Sequence, residues 1–401
     1  MDLAIVIFIA TYIVIAAGTL PYFRIDRTGA AIIGASLMVV SGVLSEREAL
    51  QAVDFSTLIV LFGMMIVVAD LRLSGFFTFV LLRMTRFVKT PRALLAWLIA
   101  LSGLMSALFV NDTICIVFTP FVLIITDKAR LDAKPYLLAL CMASNIGSAA
   151  TPTGNPQNII IASASGIGYS TFLISMLPAV LLSLVICYAV LALQFRDRID
   201  GSPLVLEGIP HHYHHVLVTK CIAVALAAMV MFVIGFPMDL VALGAGAFLL
   251  ITRRIKPEKV YHLIDFRLLL LFVGLFIVIG GLGKSPQAAT LLKQVGAAVQ
   301  SSPALLAASS ALLSNLISNV PAVLLFKSFL GGGASKGAWL LLAMSSTFAG
   351  NLTIVGSIAN MIVVEGSSHQ VKIGFMEYFR SGVWVTALSL LIGTLWLMIL
   401  G

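Results

Sequence analysis

Asp112 is the residue in this sequence with the clearest capacity to move an ion, because it is an acidic residue inside an apolar segment. The segment runs from residue 93 to 126, and Asn111 and Thr113 flank the acid. Burying a carboxylate costs free energy unless the group binds a proton or a cation. The sequence therefore predicts Asp112 as a proton or cation coupling residue, with a cap on the returning half-helix as the alternative.

Amide and hydroxyl side chains cluster at four places that otherwise interrupt apolar runs. Such groups can coordinate a cation or hydrogen-bond to an oxygen-rich solute. The predicted substrate-binding residues are Asn111, Asp112, Thr113, Ser148, Thr151, Thr153, Asn155 and Asn158 in the first half, and Ser318, Asn319, Asn351, Thr353, Ser357 and Asn360 in the second. Neither set contains Lys or Arg, which favours a neutral or cationic cargo over a di- or tricarboxylate.

The composition shows where these residues must lie. Of 401 residues, 60% are hydrophobic and only 10% are charged, whereas about a quarter are charged in a soluble domain. Several apolar runs reach the roughly 20 residues that cross a bilayer. The formal net charge of +8 comes from basic residues in short loops, so we expect a lipid bilayer as the partner and no nucleic acid. The sequence predicts an all-α polytopic membrane protein.

The two halves of the chain resemble each other. Residues 54–68 match residues 265–279, residues 106–111 match 314–319, and residues 142–160 match 344–362. The loop before Asp54 is mainly acidic, and the corresponding loop before Asp265 is basic, so the positive-inside rule places the first outside and the second inside. The pattern predicts inverted repeats of about five transmembrane helices each, spanning 1–195 and 216–401, joined by a cytoplasmic linker at 196–215. Asp54 and Asp265 are themselves predicted helix caps.

Each repeat is predicted to contain a re-entrant hairpin and a broken helix. The segment 93–126 has basic residues on both sides, so both of its ends are predicted to lie inside, and the tip of this inner hairpin falls at 111–113, within the membrane. An outer hairpin has its tip at 318–321. The helix breaks are predicted at 151–156, where Pro152 and Pro156 cannot continue a regular helix, and at 353–358. Inverted repeats are common in secondary transporters, which bind their substrate at the repeat interface, near the midplane. Residues 72–92 are predicted to form an amphipathic surface helix.

Metal and cofactor binding have little support. The four cysteines, Cys115, Cys141, Cys187 and Cys221, all fall in or beside apolar runs. They are predicted to be buried apolar residues, with a ligand set for a soft metalloid as the alternative. The histidines of residues 211–215 are predicted to lie in a solvated loop. We expect no cofactor and no metal site.

The motifs resemble those of the ion transporter superfamily. They are Asn111-Asp112-Thr113 with Thr119-Pro120, the string from Ser144 to Pro156, and Ser318-Asn319-Val320. The Asn-Asp tip and the Ala-Thr-Pro-Thr-Gly-Asn-Pro string are most similar to the arsenite efflux permeases, whereas dicarboxylate carriers have Ser-Asn-Thr at both tips. The resemblance implies export of arsenite or antimonite in exchange for protons, across a bacterial or archaeal plasma membrane. It also implies a soluble ATPase as a partner.

Other functions stay open on the sequence alone. A sodium/proton antiporter would use Asp112 as a shared cation site, and a sodium-coupled dicarboxylate or sulfate carrier belongs to the same superfamily. A channel is a different class, but two occluding hairpins favour alternating access. No HExxH, GxSxG or paired acidic motif occurs in a predicted span, so we expect no enzyme.

The inverted topology can be tested by labelling from the two sides of the membrane. Single cysteines introduced as Arg47→Cys and Lys256→Cys on a cysteine-free background are expected to react with a membrane-impermeant maleimide from opposite sides. The reason is that the two loops are equivalent in the repeats but differ in charge. Labelling of both positions from one side would contradict the inversion.

Overall fold

A computed structural model describes residues 2–20, 25–85, 88–199, 204, 213–252 and 254–400. Parts of three predictions lie outside the described residues. They are residue 253 in the basic loop before Asp265, residues 86–87 of the predicted surface helix, and most of the predicted linker with His211 and His212.

The described part of the first half is almost entirely helical. One short antiparallel ladder pairs β1 (Thr19–Leu20) with β2 (Ile25–Asp26). The helices are α1 (Leu3–Ala17), α2 (Arg27–Val40), α3 (Glu46–Ala52), α4 (Phe55–Ser74), α5 (Phe76–Thr85), α6 (Pro91–Leu108), α7 (Asn111–Lys128), α8 (Lys134–Ser148), α9 (Pro156–Ser165) and α10 (Tyr169–Gln194). A single 3-10 turn at Pro152–Gly154 separates α8 from α9.

The second half repeats this order of helices. They are α11 (His215–Ile234), α12 (Met238–Leu250), α13 (Pro257–Tyr261), α14 (Phe266–Leu282), α15 (Pro286–Gln300), α16 (Pro303–Ile317), α17 (Asn319–Leu330), α18 (Lys336–Ala349), α19 (Ile358–Ser367) and α20 (Phe375–Leu400). A 3-10 turn at Ile354–Gly356 separates α18 from α19, as the equivalent turn does in the first half. Another 3-10 turn, Gly331–Gly333, follows α17. The prediction of an all-α polytopic membrane protein is confirmed.

Long helices supply only some of the paths across the membrane. Within the described residues, α4, α6, α10, α11 and α20 are long and apolar enough to span a bilayer, and α14 with α15 would make a sixth span although the pair is bent by 99°. Helix α6, which forms one arm of the predicted hairpin, has 18 residues. Helices α1, α2 and α12 have 15, 14 and 13 residues, fewer than the roughly 20 of a full span.

Acidic side chains begin the two equivalent long helices. Asp54 accepts a hydrogen bond from the backbone N–H of Thr57 at 3.1 Å, and Asp265 accepts one from Leu268 at 3.0 Å. Each bond satisfies one of the N–H groups that a helix leaves unpaired in its first turn. The predicted caps at both positions are confirmed.

Glu48 ties α3 to the far end of α14. Its carboxylate accepts hydrogen bonds from the ammonium of Lys284 and from the backbone and hydroxyl of Ser45. These contacts, the Lys284 bond first, lower the pKa of Glu48 to about 2. Glu48 is therefore ionised near neutral pH, and the stability that its contacts contribute is lost only as the pH falls toward this low pKa.

The two halves interlock through one type of helix crossing, which occurs twice. Helix α4 packs against α12, and its counterpart α14 packs against α2. A Cβ atom at Gly63 would lie 2.4 Å from the backbone carbon of Ala242, and one at Gly274 would lie 2.7 Å from that of Ala31. Only glycine allows backbones to approach this closely. We call the helices α1–α4 and α11–α14 the frame.

The hairpins and broken helices pack together beside this frame. Helix α6 packs against α8 and α16 against α18, while α7 packs against α19 and α17 against α9. Each of the last two pairs joins one half of the chain to the other. We call α6–α9 and α16–α19 the inner bundle. Its four backbone interruptions lie next to one another.

Helix α5 differs from the predicted surface helix. Phe76 and Phe77 are buried, and the ring of Phe77 makes edge contacts with Phe109 and Phe118 at 6.2 Å each. The start of this segment is therefore part of the core. Helix α15, its counterpart in the second half, was not predicted from the sequence.

Candidate functional site

Two helices begin at equivalent asparagines. Helix α7 starts at Asn111 after a turn at Phe109 and Val110, and α17 starts at Asn319 after Ser318. Ser318 has φ 76° and ψ 158°, a conformation found almost only in glycine, which costs about 1–3 kcal/mol and occurs mainly at functional sites. Neither helix has a side-chain N-cap, so its first N–H groups stay available.

The two broken helices are closed by equivalent asparagine amides. Asn158 donates from Nδ2 to the carbonyls of Ser148 and Thr151, both at 3.0 Å. Asn360 donates in the same way to Gly350 and Thr353, at 2.6 and 3.0 Å. These bonds satisfy carbonyls that the break leaves without helical partners. The nitrogens of Asn158 and Asn360 therefore hold the backbone.

Asn145, one turn before the first break, joins both repeats. Its Nδ2 donates to the amide oxygens of Asn351 and Asn360, both at 2.9 Å. Its Oδ1 accepts from Asn111 Nδ2 at 3.0 Å and from the Ser357 hydroxyl at 2.9 Å. All five residues are buried. This single amide contacts a hairpin tip of one repeat and the broken helix of the other.

The network fixes which way each amide faces. Asn360 must present Nδ2 to two carbonyls, so its oxygen faces Asn145. Asn145 therefore turns its nitrogen to Asn360 and its oxygen to Asn111. Asn111 must donate in reply, which leaves its Oδ1 without a hydrogen-bond partner among the described residues. An unpaired buried acceptor is costly and indicates a place for a ligand or water.

Gln157 is oriented by the same logic. The hydroxyl of Thr347 donates to the carbonyl of Ala343, so it must accept the bond from Gln157 Nε2 at 3.1 Å. Gln157 is fully buried, and its Oε1 has no partner among the described residues. Asn155 donates to Ser148 Oγ at 3.3 Å, and this hydroxyl donates to the carbonyl of Asn145. Among the described residues the oxygen of Asn155 accepts no hydrogen bond.

These groups line one small cavity of about 30 Å³. That is room for about two water molecules. The cavity is lined by Asn111, Asp112, Asn155, Pro156, Gln157, Leu268, Ser318, Asn319, Val320, Ser357 and Ile358. Four of them are the first residues of α7, α9, α17 and α19, so four helix amino ends meet here, and each carries partial positive charge. None of the lining residues is Lys or Arg.

Asp112 is the one carboxylate in this lining. It lies in the first turn of α7, where a helix amino end favours negative charge. Within the described residues no side chain or backbone group hydrogen-bonds to it, so it does not cap its helix. Its equivalent in the second repeat is Val320, which also lines the cavity.

The predicted site residues fall into two groups. Those that line the cavity are Asn111, Asp112, Asn155, Ser318, Asn319 and Ser357. The other eight lie behind the lining, and all but Thr113 make side-chain hydrogen bonds that hold the breaks: Thr113, Ser148, Thr151, Thr153, Asn158, Asn351, Thr353 and Asn360. Thr151, for example, donates to the carbonyl of Ala107, and Thr353 donates to Asn315 at 3.2 Å.

Two polar residues of the site were not predicted. Asn145 lies within the polar string from Ser144 to Pro156, and Gln157 directly follows that string. Neither residue interrupts its helix. A buried amide inside a helix needs a hydrogen-bond partner outside that helix, but the sequence does not indicate where the partners of Asn145 lie. The two amides to which Asn145 donates are more than 200 residues away in the chain.

The profile of the family described as "CitMHS: Citrate transporter" matches residues 5–349. The chain belongs to the CitMHS family. An uncharacterized transporter of Mycobacterium tuberculosis is 31% identical over 98% of this chain and 97% of its own length. The silicon efflux transporter LSI3 of Oryza sativa is 30% identical, covering 86% of each chain. The putative transporter arsB of Dictyostelium discoideum is 25% identical over 93% of this chain and 87% of its own.

A solved structure has a similar fold. The YdaH transporter of Alcanivorax borkumensis matches with a TM-score of 0.59 over 99% of this chain and 95% of its own, at 14% identity. This CitMHS chain is thus a multi-pass membrane transporter and not an enzyme. The coarser part of the predicted resemblance is confirmed, and the cargo is left to the chemistry of the site.

Removing the Asn145 amide should destabilise the fold strongly. Asn145→Ala leaves four buried polar groups unpaired, so we expect a loss of about 3–5 kcal/mol in the free energy of unfolding. Ser144→Ala is the matched control, because Ser144 is an equally buried neighbour whose hydroxyl donates to the carbonyl of Cys141; it should cost about 1 kcal/mol. Thermal unfolding in detergent measures both. Equal midpoints would contradict the role of Asn145.

Proposed function

We propose that this CitMHS transporter exports small neutral inorganic hydroxides of the arsenite and antimonite type, in exchange for protons bound at Asp112. The observation that carries this proposal is the set of oriented acceptor oxygens around a cavity without basic side chains. The cavity and the resemblance of the Asn111-Asp112 tip to arsenite permeases support the same cargo.

The lining offers both halves of a hydrogen bond. The oxygens of Asn111, Asn155 and Gln157 accept, and the amino ends of α7 and α17 donate through backbone N–H groups. A trihydroxy solute matches this arrangement, because each O–H group donates and accepts. It also carries no charge near neutral pH, so it needs no fixed counter-charge.

A carboxylate cargo is the second candidate, because four helix amino ends favour an anion and the family profile is described as a citrate transporter. An ionised carboxylate only accepts hydrogen bonds, however, and here it would face three acceptor oxygens and Asp112. Helix ends contribute roughly 0.3–1 kcal/mol each when partly exposed, less than is needed to hold three negative charges without Lys or Arg. The neutral cargo therefore fits better.

Protonation of Asp112 supplies the coupling in this proposal. An ionised carboxylate without a hydrogen-bonding partner is costly to move through an occluded state. Proton binding on one side and release on the other would link the pH gradient to cargo movement.

Thiol ligation has no support from the positions of the cysteines. Cys115, Cys141 and Cys187 are fully buried, and Cys221 is 2% exposed. None of them lines the cavity. Oxygen contacts are therefore proposed to bind the metalloid.

Cargo selectivity tests the proposal directly. In everted vesicles with an acidic interior, the protein should accumulate arsenite. It should also accumulate silicic acid, another neutral hydroxide, if the site recognises hydroxyl groups. Citrate and sodium should not accumulate, because the lining has too few donors for citrate. Accumulation of citrate without arsenite would contradict the proposal and support the carboxylate candidate.

Replacing Asp112 should uncouple transport. Asp112→Asn keeps the size and hydrogen-bonding capacity of the side chain but removes the titratable proton, so we expect exchange of cargo without accumulation against a gradient. Any dependence of the transport rate on pH that arises from Asp112 should also disappear.

Asp127→Asn is the matched control, because Asp127 lies at the opposite end of the same helix and is exposed. This variant should keep gradient-driven transport. Full accumulation by Asp112→Asn would show that Asp112 does not carry the coupling proton.

A further inference from the structure

Asp54 makes contacts that its role as a helix cap does not require. While one oxygen caps α4, the other accepts from the hydroxyl of Ser163 at 2.9 Å and lies 3.9 Å from the ammonium of Lys327. Ser163 belongs to α9 and Lys327 to α17, which are both parts of the inner bundle. Asp54 belongs to the frame. One carboxylate thus connects the frame to two elements of the inner bundle.

The equivalent residue of the second repeat makes no such connection. Asp265 caps α14 through Leu268, and among the described residues its side chain has no other hydrogen bond or ion pair. The repeat alignment pairs Ser163 with Glu365 and Lys327 with Thr119. Glu365 would repel Asp265, and Thr119 carries no charge. Asp54 and Asp265 therefore share the capping role, and only Asp54 has partners across the boundary.

Helix packing has the same asymmetry. Helix α4 packs against α9 and α14 packs against α17, whereas the symmetry-equivalent pairs, α14 with α19 and α4 with α7, make no comparable contact among the described residues. Helices α9 and α17 run from the cavity toward the end of the fold where α4 begins. The cavity itself lies toward the other end, because Leu268 in the first turn of α14 lines it and the equivalent Thr57 of α4 does not.

We propose that Asp54, Ser163 and Lys327 form a gate that holds the transporter closed at the end where α4 begins. Asp54 acts as a positioning residue: it does not touch the cavity but holds the inner bundle against the frame. The Lys327 ammonium also lies 5.8 Å from the ring centre of Phe276 in α14, which ties the same cation to a second helix of the frame. These contacts must break each time the cavity opens to this end.

The gate is expected to bias the cycle without blocking it. The Asp54 side chain is 15% exposed and that of Lys327 35% exposed, so water screens their attraction in part. A pair of this kind, with one charged hydrogen bond, shifts a two-state equilibrium by about fivefold. The state closed at the Asp54 end is therefore favoured, and opening stays reversible.

The test measures access to the cavity from each side of the membrane. Val320→Cys on a cysteine-free background places a thiol in the cavity lining, where Val320 is 8% exposed. The protein is reconstituted in sealed vesicles, and a membrane-impermeant maleimide is added to one side or the other. This readout does not depend on the cargo, so it stays informative if the proposed cargo is wrong.

Adding Asp54→Asn should speed labelling from the Asp54 side about fivefold, because asparagine still caps a helix but loses the ion pair. Lys327→Gln, which touches no cap, should have the same direction of effect. Asp265→Asn is the matched control and should leave labelling from that side unchanged. The gate is excluded if Asp54→Asn and Lys327→Gln leave the rate unchanged, or if Asp265→Asn raises it equally.

Discussion

The buried amide of Asn145 is the interaction on which the rest of the site depends. Its nitrogen donates to two amides of the second repeat. Its oxygen accepts from the hairpin tip of the first repeat and from Ser357. The orientation of Asn111 follows from these bonds, because its nitrogen must donate to the oxygen that Asn145 presents. A cavity lined by free acceptor oxygens is thus a product of hydrogen bonding behind the lining, and the lining residues alone would not determine it.

Much of this architecture could be predicted from local signals. Pro152 and Pro156 mark a break, Asp54 and Asp265 mark helix starts, and the matching segments of the two halves indicate the repeat. The proline and aspartate signals act through their own backbone or nearest neighbours, and the repeat is recognised by comparing the two halves of the sequence directly. Asn145 and Gln157 gave no such signal, since a polar residue inside a helix has a meaning only through partners distant in sequence. Helix α15 was missed because its mixed polarity resembles that of a loop.

The repeats are alike in backbone and different in chemistry. Asn158 and Asn360 close their breaks with the same pair of bonds, yet only Asn360 has its oxygen engaged by Asn145. Asp112 lines the cavity where the second repeat has Val320, and Asp54 has partners that Asp265 lacks among the described residues. The two repeats thus share a backbone plan, while the side chains at Asp112 and Asp54 distinguish them.

The glycine crossings of the frame also bear on how the chain is made. Gly63 needs Ala242 and Gly274 needs Ala31, so each half supplies the surface against which the other is packed. During synthesis the first half enters the bilayer while its partners α12 and α14 do not yet exist. Until the second half is inserted, the glycine faces of these helices must be in contact with lipid. Assembly of this transporter is therefore a late event in translation, and a chain truncated near its middle would lack half of every such crossing.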